Sequence, residues 1–344
     1  MSLLKVKNLN TTFDIHVGQV KAVRGIDLHL EPGETLGIVG ESGSGKSVTM
    51  LSVMKLLPDY ANITADEIIF DDKDISGPKF NMSSILGDDI GMVFQDPMTS
   101  LNPLYRVGNQ LIEPYMIHKK VSKAEATKRA LEILRLVEMP DPEKRLKQYP
   151  HELSGGMRQR VMIAMALMCD PKLVIADEPT TALDVTIQAQ ILDLFKDLRT
   201  RLNSSVIMIT HDLGVIAGLC DRVMVLYGGL IVEEGTVDEI YYNPKHPYTW
   251  GLLKSIPQKS GIKEKLQPIA GSPPDLLSPP AGCPFAPRCK YCMNICDTVL
   301  PELETVKDVL DPASSDGAGT DDHRCRCHLM AADAPKVEWE GIDR

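Results

Sequence analysis

The stretch Gly40-Glu41-Ser42-Gly43-Ser44-Gly45-Lys46-Ser47 matches the pattern of a phosphate-binding loop, G-x-x-x-x-G-K-[ST]. The apolar run at residues 35–39 predicts a short buried strand before it, and residues 48–54 predict a helix after it. Glycines let the backbone curl so that several N–H groups face inward and form an anion site with the positive end of the helix. This order of elements predicts an α/β protein that binds a nucleotide.

The sequence of this loop predicts contacts to two phosphate groups of the nucleotide and to a metal ion. We expect Lys46 to reach the β- and γ-phosphates and the Ser47 hydroxyl to complete the shell of a Mg²⁺ ion. The alternative is a glycine-rich surface turn followed by an unrelated lysine, but it gives no reason for the flanking strand and helix. The residues expected to bind the nucleotide here are Gly40, Ser42, Gly43, Ser44, Gly45, Lys46, Ser47 and Val48.

Two acidic residues, Asp177 and Glu178, follow a second predicted strand at residues 172–176. We expect Asp177 to hold Mg²⁺ through its water shell, and Glu178 to polarise a water molecule for attack on the γ-phosphate. Adjacent carboxylates would otherwise repel each other, and a cation beside a triphosphate removes that objection. The pair is therefore the predicted metal ligand and catalytic base.

Three further side chains stand where a nucleotide could be contacted. Gln95 follows the predicted strand at residues 90–94 and could hold Mg²⁺ or the attacking water, because α/β sheets bind ligands at the carboxyl ends of their strands. His211 follows the strand at residues 205–210 and could donate to the γ-phosphate, and Phe13 could stack on a purine base. The alternatives are a solvent-facing Gln, a structural His and a half-buried strand Phe.

The tetrapeptide Leu153-Ser154-Gly155-Gly156 opens a predicted helix at residues 157–167. Ser154 can cap this helix, and Gly155 and Gly156 would let an anion approach its N-terminus closely. A capped helix without a ligand is the alternative. We favour phosphate binding at this helix because the other nucleotide motifs lie on both sides of the tetrapeptide in the chain.

Helical patterns fill the segment before this motif. Ser122 and Glu125 fit a capping box, and apolar residues recur behind them at helical spacing until Pro140. We expect Asn102-Pro103 to open this helical insertion. The sequence thus predicts a nucleotide-binding domain over residues 1–240, with an insertion at about 102–155, and a C-terminal extension over residues 241–344.

Composition restricts the class of protein. The chain has 344 residues, of which 43% are hydrophobic, and this supports a sizeable core. Its net charge of -10 argues against a general nucleic-acid binder. No apolar run reaches the length of about eighteen residues that a membrane span needs, and the N-terminus lacks the hydrophobic stretch of a signal peptide. We therefore expect a cytosolic protein with no nucleic-acid partner.

Six of the eight cysteines crowd between Cys283 and Cys327. In a cytosolic chain such a group indicates a metal site before it indicates disulfides. Four thiolates suit either an iron–sulfur cluster or Zn²⁺. Free or disulfide-bonded cysteines remain the third option.

An ordered series of motifs resembles the nucleotide-binding subunit of ABC transporters over residues 1–240: Phe13, GESGSGKS, Gln95, LSGGMRQR, LVIADEP, TALD and His211. The resemblance implies an α/β fold with an ABC-type P-loop ATPase core. This core has a mixed sheet flanked by helices, an antiparallel N-terminal part and a small helical insertion. It also implies ATP and Mg²⁺ as ligands.

The resemblance further implies a role for each matching residue. Phe13 takes the place of the base-stacking aromatic, which is usually Tyr, and Gln95 that of the residue that senses Mg²⁺, water and the membrane subunit. Glu178 matches the catalytic base, and His211 the switch histidine. Residues 154–156 match the signature that contacts the γ-phosphate of the opposite subunit in trans, and Asp184 matches the D-loop aspartate at the dimer interface.

Further stretches resemble the ATP-binding subunits of oligopeptide and dipeptide permeases: GIVGESGSGKS, FQDPMTSLNP, PTTALDVTIQAQIL and NPKHPYTWGLLKSIP. This resemblance implies ATP-driven uptake of peptides through two separate membrane permease subunits, with an extracytoplasmic peptide-binding protein acting indirectly. It also implies a second, homologous ATPase as the partner in a heterodimer. The expected location is peripheral, on the cytoplasmic face of the cell membrane.

Some members of this permease group carry a [4Fe–4S] cluster held by four cysteines. The matching positions are Cys283, Cys289, Cys296 and Cys327, with Zn²⁺ as the alternative occupant. Two extra cysteines, at positions 292 and 325, leave the ligand set open. We expect the site to tether a loop at residues 311–322 and to take no direct part in hydrolysis.

Two other classes of protein share parts of this pattern. A soluble ABC ATPase of DNA repair would need long coiled-coil arms, and one of translation usually carries two such domains in one chain; this sequence has neither. A metal-sensing regulator fits the cysteines, but only as an added role. Association with a membrane on co-expression with its permease would separate a transporter subunit from both.

Overall fold

The structure, a computed structural model, describes residues 2–181, 184–202, 204–256, 269–306, 323–337, 339 and 341. Its strands, in chain order, are β1 (Leu4–Ile15), β2 (Gly18–Leu30), β3 (Thr35–Val39), β4 (Ala61–Thr64), β5 (Glu67–Phe70), β6 (Lys73–Asp74), β7 (Ile90–Val93), β8 (Leu173–Asp177), β9 (Ser205–Thr210), β10 (Arg222–Tyr227), β11 (Leu230–Thr236), β12 (Glu304–Thr305) and β13 (Arg324–Cys325). Its helices are α1 (Lys46–Val53), α2 (Pro97–Ser100), α3 (Val107–Lys119), α4 (Lys123–Leu136), α5 (Pro142–Arg145), α6 (Gly155–Leu167), α7 (Val185–Leu202), α8 (Leu213–Ile216), α9 (Val237–Tyr242), α10 (Pro247–Lys254) and α11 (Asn294–Thr298).

Two compact units divide the chain. Unit 1 comprises Met1–Lys5, His29–Thr35 and Ile68–Ile209. Unit 2 comprises Val6–Leu28, Leu36–Glu67 and Thr210–Arg344. The two units alternate along the sequence, so each gathers segments that lie far apart in the chain.

Three parallel strands, β7, β8 and β9, form the sheet of unit 1. Ile90 lies opposite Leu173, which in turn lies opposite Ser205. Every residue of β8 and β9 is buried, as expected for parallel strands covered on both faces. Parallel pairing brings the carboxyl ends of these strands to one edge, where polar side chains can meet.

Helices α3, α4 and α6 pack together in unit 1. The first two lie within the predicted insertion, which is therefore helical. The Ser122 hydroxyl accepts a hydrogen bond from the Glu125 N–H at 3.2 Å, so the predicted cap of α4 is present. The prediction that Asn102-Pro103 opens a helix is wrong, because α3 begins at Val107. The Asn102 side chain instead accepts from the Leu104 N–H at 3.0 Å and closes a turn.

Strands β3, β10 and β11 form the centre of the sheet in unit 2. β3 and β10 are parallel, whereas β10 and β11 form an antiparallel pair. The sheet continues from β11 through β13 to β12, so the C-terminal extension adds strands to it. The extension is therefore hydrogen-bonded to the same sheet that carries β3, the strand before the phosphate-binding loop.

The N-terminal strands of unit 2 are longer than the sequence predicts. The residue pattern predicts separate strands at residues 19–23 and 26–30, but β2 runs through both as one element. Gly25, at φ 77°, lies between the two expected strands, and its positive φ lets the strand continue past this position. β1 is hydrogen-bonded to β2 and pairs with β4 in antiparallel register, with Phe13 opposite Ala61.

An aromatic cluster holds the C-terminal extension against β10. The Tyr227 ring lies 4.5 Å from that of Tyr248 and 5.3 Å from that of Phe285, edge-on in the second case. Such pairs stabilise a core by about 0.5–1.5 kcal/mol each beyond their buried area.

Among the residues described, no helix has the length and apolar character needed to cross a membrane. The loop predicted at residues 311–322 lies outside the described residues.

Candidate functional site

The phosphate-binding loop of unit 2 joins β3 to α1 and depends on glycine at two positions. Gly40 has φ 155°, and a Cβ there would lie 2.2 Å from the Leu226 carbonyl oxygen. Gly45 has φ 103°, and a Cβ would lie 2.6 Å from the Ala22 carbonyl oxygen. Any larger residue at either position would meet backbone atoms that cannot move cheaply. The two glycines therefore permit the curled loop that the pattern predicts, and no other residue would fit there.

Two side chains of this loop point inward. Lys46 is buried, and its Nζ donates to the carbonyl oxygens of Gly40 at 2.8 Å and Glu41 at 3.0 Å. The Ser44 hydroxyl is also buried, and it has no hydrogen-bond partner within the described part of the chain. A buried hydroxyl without a partner costs free energy unless a ligand satisfies it. An ammonium and a hydroxyl beside the N-terminus of α1 suit a phosphate group.

Unit 1 brings Gln95 and Glu178 together after β7 and β8. Gln95 Nε2 donates to Glu178 Oε2 at 3.0 Å, and the Thr181 hydroxyl donates to the same oxygen at 2.8 Å. The Glu178 backbone has φ 45°, a conformation that costs an ordinary residue about 1–3 kcal/mol and clusters at functional sites. Asp177, the last residue of β8, is buried. The predicted catalytic carboxylate is therefore oriented by hydrogen bonds at the strand end.

The predicted signature forms the N-terminus of α6. Ser154 is the N-cap, and its hydroxyl accepts from the Met157 N–H at 3.4 Å. A Cβ on Gly155 would meet nothing within 4 Å, whereas one on Gly156 would lie 2.9 Å from the Ile187 side chain. Gly155 is exposed, so another molecule can approach this helix end.

The remaining predicted nucleotide residues lie near the surface of their units. Phe13 is half-buried, with its ring 6.0 Å from that of Tyr60, so unit 2 presents a pair of aromatic rings where the sequence indicated one. No sequence pattern singled out Tyr60. His211 and Asp184 are both exposed, and the two residues before Asp184 lie outside the described chain.

The four predicted cysteine ligands line one small cavity of unit 2, of about 10 Å³ and partly open to solvent. They are Cys283, Cys289, Cys296 and Cys327, and the two extra cysteines do not line it. Burial raises the pKa of the Cys289 thiol to about 11 and that of Cys327 to about 12. A cation would have to offset this desolvation before these thiols could bind as thiolates. In the described ranges, no three Cys, His, Asp or Glu side chains form a group suited to holding a metal ion.

His246 lines the same cavity and was not singled out from the sequence. Its Nδ1 accepts from the Tyr248 N–H at 3.0 Å, so its proton resides on Nε2. That buried Nε2 has no hydrogen-bond partner among the residues described. Burial lowers the pKa of His246 to about 4, which leaves a neutral donor beside the four thiols. Four cysteines with an unsatisfied donor fit a sulfur-rich group that accepts hydrogen bonds.

The fold and the phosphate loop define the chain as an ATP-binding cassette, a P-loop ATPase of the ABC class. A family profile described as ABC transporter matches residues 23–181, and one described as oligopeptide/dipeptide transporter, C-terminal region, matches residues 232–296. A dimeric ATP-binding cassette in a post-hydrolysis state, bound to ADP and phosphate, has a TM-score of 0.61 at 30% identity and covers 68% of this chain and 98% of its own.

Two relatives indicate which group of ABC ATPases the chain belongs to. The oligopeptide transport ATP-binding protein OppD of Bacillus subtilis is 54% identical over 98% of this chain and 91% of its own length. The protein of the same name from Escherichia coli is 51% identical over 87% of this chain and 89% of its own. The chain belongs to the family of ATP-binding subunits of oligopeptide and dipeptide ABC transporters. The predicted fold class and the predicted ATPase activity coupled to peptide transport are thereby confirmed.

Proposed function

We propose that this chain drives import of oligopeptides or dipeptides by hydrolysing ATP at the cytoplasmic face of the cell membrane. One observation carries this proposal: an ABC transporter profile and a peptide-transporter C-terminal profile match successive parts of one chain. Relatives named for oligopeptide transport share about half of its residues over nearly its full length. Its proposed domains are an ATPase domain over residues 1–240, with the insertion at about 102–155, and an extension over residues 241–344.

The proposed roles follow the motifs residue by residue. Gly40 and residues 42–48, among them Lys46, bind the phosphates, and Phe13 stacks on the base. Ser47, Gln95 and Asp177 bind Mg²⁺ directly or through water. Glu178 polarises the attacking water, and the hydrogen bond from Gln95 to Glu178 supports this role by orienting the carboxylate. His211 donates to the γ-phosphate.

We propose that the chain works as one half of an ATPase heterodimer on two membrane subunits. Ser154, Gly155 and Gly156 would contact the ATP of the partner ATPase, and the exposed N-terminus of α6 supports this. The dimeric state of the related cassette is also consistent with such pairing. Closure of the pair would push on the membrane subunits, and hydrolysis would reopen it. A peptide-binding protein outside the membrane would deliver the substrate.

We propose a [4Fe–4S] cluster on Cys283, Cys289, Cys296 and Cys327. Their common cavity and the donor on His246 support the assignment. In such a cluster each cysteine binds a different iron, so the four sulfurs need not converge on one ion as they must around Zn²⁺. The cluster would stabilise the extension.

Isolation of the assembly tests the proposed function. The chain would be tagged, co-expressed with its permease and purified from membranes in detergent, and its partners identified by mass spectrometry. We expect two membrane subunits and a second, homologous ATPase in equal amounts. Recovery of the chain only from the soluble fraction, as a homodimer or with nucleic acid, would contradict the proposal and favour a soluble ABC ATPase.

A further inference from the structure

An arginine of the cysteine-rich extension forms an ion pair with the phosphate-binding loop. Arg288 precedes Cys289, and Glu41 is the second residue of the loop. Nη1 of Arg288 lies 2.5 Å from Glu41 Oε2, and Nη2 lies 2.9 Å from Oε1. Both residues belong to unit 2. A paired geometry of this kind is the strongest form of arginine–carboxylate contact.

The Arg288 side chain is fixed on every side. Its exposed fraction is 4%, against 28% for the Glu41 side chain. Nε donates to the Ala270 carbonyl at 2.9 Å and Nη2 to the Ile269 carbonyl at 3.0 Å. Nη1 lies 3.1 Å from the Tyr227 hydroxyl, and the guanidinium lies over the rings of Tyr227 and Phe285. The pKa of Arg288 is raised, mainly by the side-chain hydrogen bond to Glu41. This guanidinium is therefore a rigid anchor for Glu41.

Glu41 is in turn held at three points. Arg288 holds its carboxylate, its N–H donates to the Tyr248 hydroxyl at 2.8 Å, and its carbonyl accepts from Lys46 Nζ at 3.0 Å. The last contact involves the lysine expected to bind the phosphates. A carboxylate within a loop built for anions would repel a triphosphate unless a cation neutralised it. Arg288 supplies that cation and fixes the backbone of the loop at the same residue.

We propose that Arg288 is a positioning residue for ATP binding, through which the cysteine-bearing segment at residues 283–289 sets the affinity of the phosphate loop for nucleotide. Loss of the guanidinium leaves the charge of Glu41 beside the phosphates and releases one of its three anchors. The effect falls on binding, because Arg288 acts on the loop and not on the carboxylate that activates water. A change in the cysteine segment that moves Arg288 has the same consequence.

The test is a double-mutant cycle on the Arg288–Glu41 pair, read by titration with a fluorescent ATP analogue. Arg288→Gln should weaken binding by at least about fivefold, the lower end of usual coupling between sites. Glu41→Gln removes the anchor but also removes the repelling charge, so it should lose less affinity for the analogue than Arg288→Gln does. The double variant E41Q/R288Q should therefore bind like E41Q. In the assembled transporter, R288Q should raise KM for ATP with little change in kcat.

A matched control uses another arginine–glutamate pair of unit 2. Arg324 of β13 binds Glu234, which is buried in β11. Arg324→Gln should lower the unfolding temperature without changing ATP affinity. Circular dichroism and thermal melts would establish that each variant is folded, and if R288Q fails to fold, comparison of the double variant with E41Q still decides the matter. Unchanged affinity in R288Q, or a double variant that binds several-fold more weakly than E41Q, would overturn the proposal.

Discussion

At the scale of single residues, the proposed catalysis depends on how one carboxylate is oriented. Glu178 follows the buried end of β8, where its backbone has a positive φ and its Oε2 accepts two hydrogen bonds. Both donors, Gln95 and Thr181, are neutral, so they orient the carboxylate without cancelling its charge. A carboxylate oriented in this way can accept a proton from water as that water attacks phosphorus.

We predict that Glu178→Gln binds ATP normally and hydrolyses it roughly 10²–10⁴-fold more slowly, the usual contribution of a positioned base. The amide preserves the size of the side chain but cannot accept the proton. Phosphate release by the assembled transporter, measured beside a nucleotide titration, would separate the two effects. Lys46→Ala provides the contrast, because it should weaken nucleotide binding itself. Near-normal hydrolysis by a transporter in which both ATPase subunits carry the Gln substitution would exclude Glu178 as the base.

At the scale of elements, helix α6 presents a capped N-terminus with an exposed glycine. The open space around Gly155 distinguishes it from Gly156, which packs against Ile187. Space at a helix N-terminus is what a phosphate of a second subunit would need. The position therefore permits a substitution that changes charge without disturbing the fold of this chain.

We predict that Gly155→Asp leaves ATP binding by this chain intact and prevents ATP-driven closure with the partner ATPase. The added carboxylate would face a triphosphate in a site built for anions. Size-exclusion chromatography of the two ATPases with ATP, each carrying a slowed catalytic site, would measure closure. Gly155→Asn is the control for size, and it should impair closure less than the aspartate does. Normal ATP-dependent association of the aspartate variant would contradict a signature that acts in trans.

The cysteine cavity yields a prediction at the same scale. Protein purified without oxygen should be brown and contain about four irons per chain if the site is full. Cys289→Ser or Cys296→Ser should remove the colour and speed proteolysis after about residue 260, because metal binding contributes folding free energy. Cys292→Ser is the matched control and should keep the colour, since Cys292 is exposed and does not line the cavity. A colourless protein with one zinc per chain would replace the cluster by a zinc site, and no metal would exclude both.

Elements with a strong local pattern could be predicted from the sequence. The phosphate loop, the buried strands before Gln95, Asp177 and His211, and the cap of α4 each depend on residues close together in the chain. Features that depend on residues far apart in the chain could not be predicted from the sequence. The Gln95–Glu178 hydrogen bond joins residues 83 apart, and the Arg288–Glu41 pair joins residues 247 apart. Periodicity and capping rules describe only short segments, so they contain no information about such contacts.

At the scale of the whole molecule, the C-terminal extension is part of the unit that carries the phosphate loop. Its strands continue the sheet from β11, and its Tyr248 and Arg288 both contact Glu41. A domain that only tethered a tail would not need these contacts. The extension is therefore placed to influence nucleotide binding, while the proposed catalytic carboxylate belongs to the other unit.

The most direct test of the central claim measures peptide uptake. The purified transporter, with this chain and its partner subunits, would be reconstituted in proteoliposomes with its peptide-binding protein outside and ATP enclosed, and entry of a labelled peptide would be followed. We predict uptake that requires enclosed ATP and falls at least roughly 10²-fold when this chain carries Glu178→Gln. Uptake that continues at the same rate without ATP, or with the glutamine variant, would contradict the assignment of this chain as the subunit that powers peptide import.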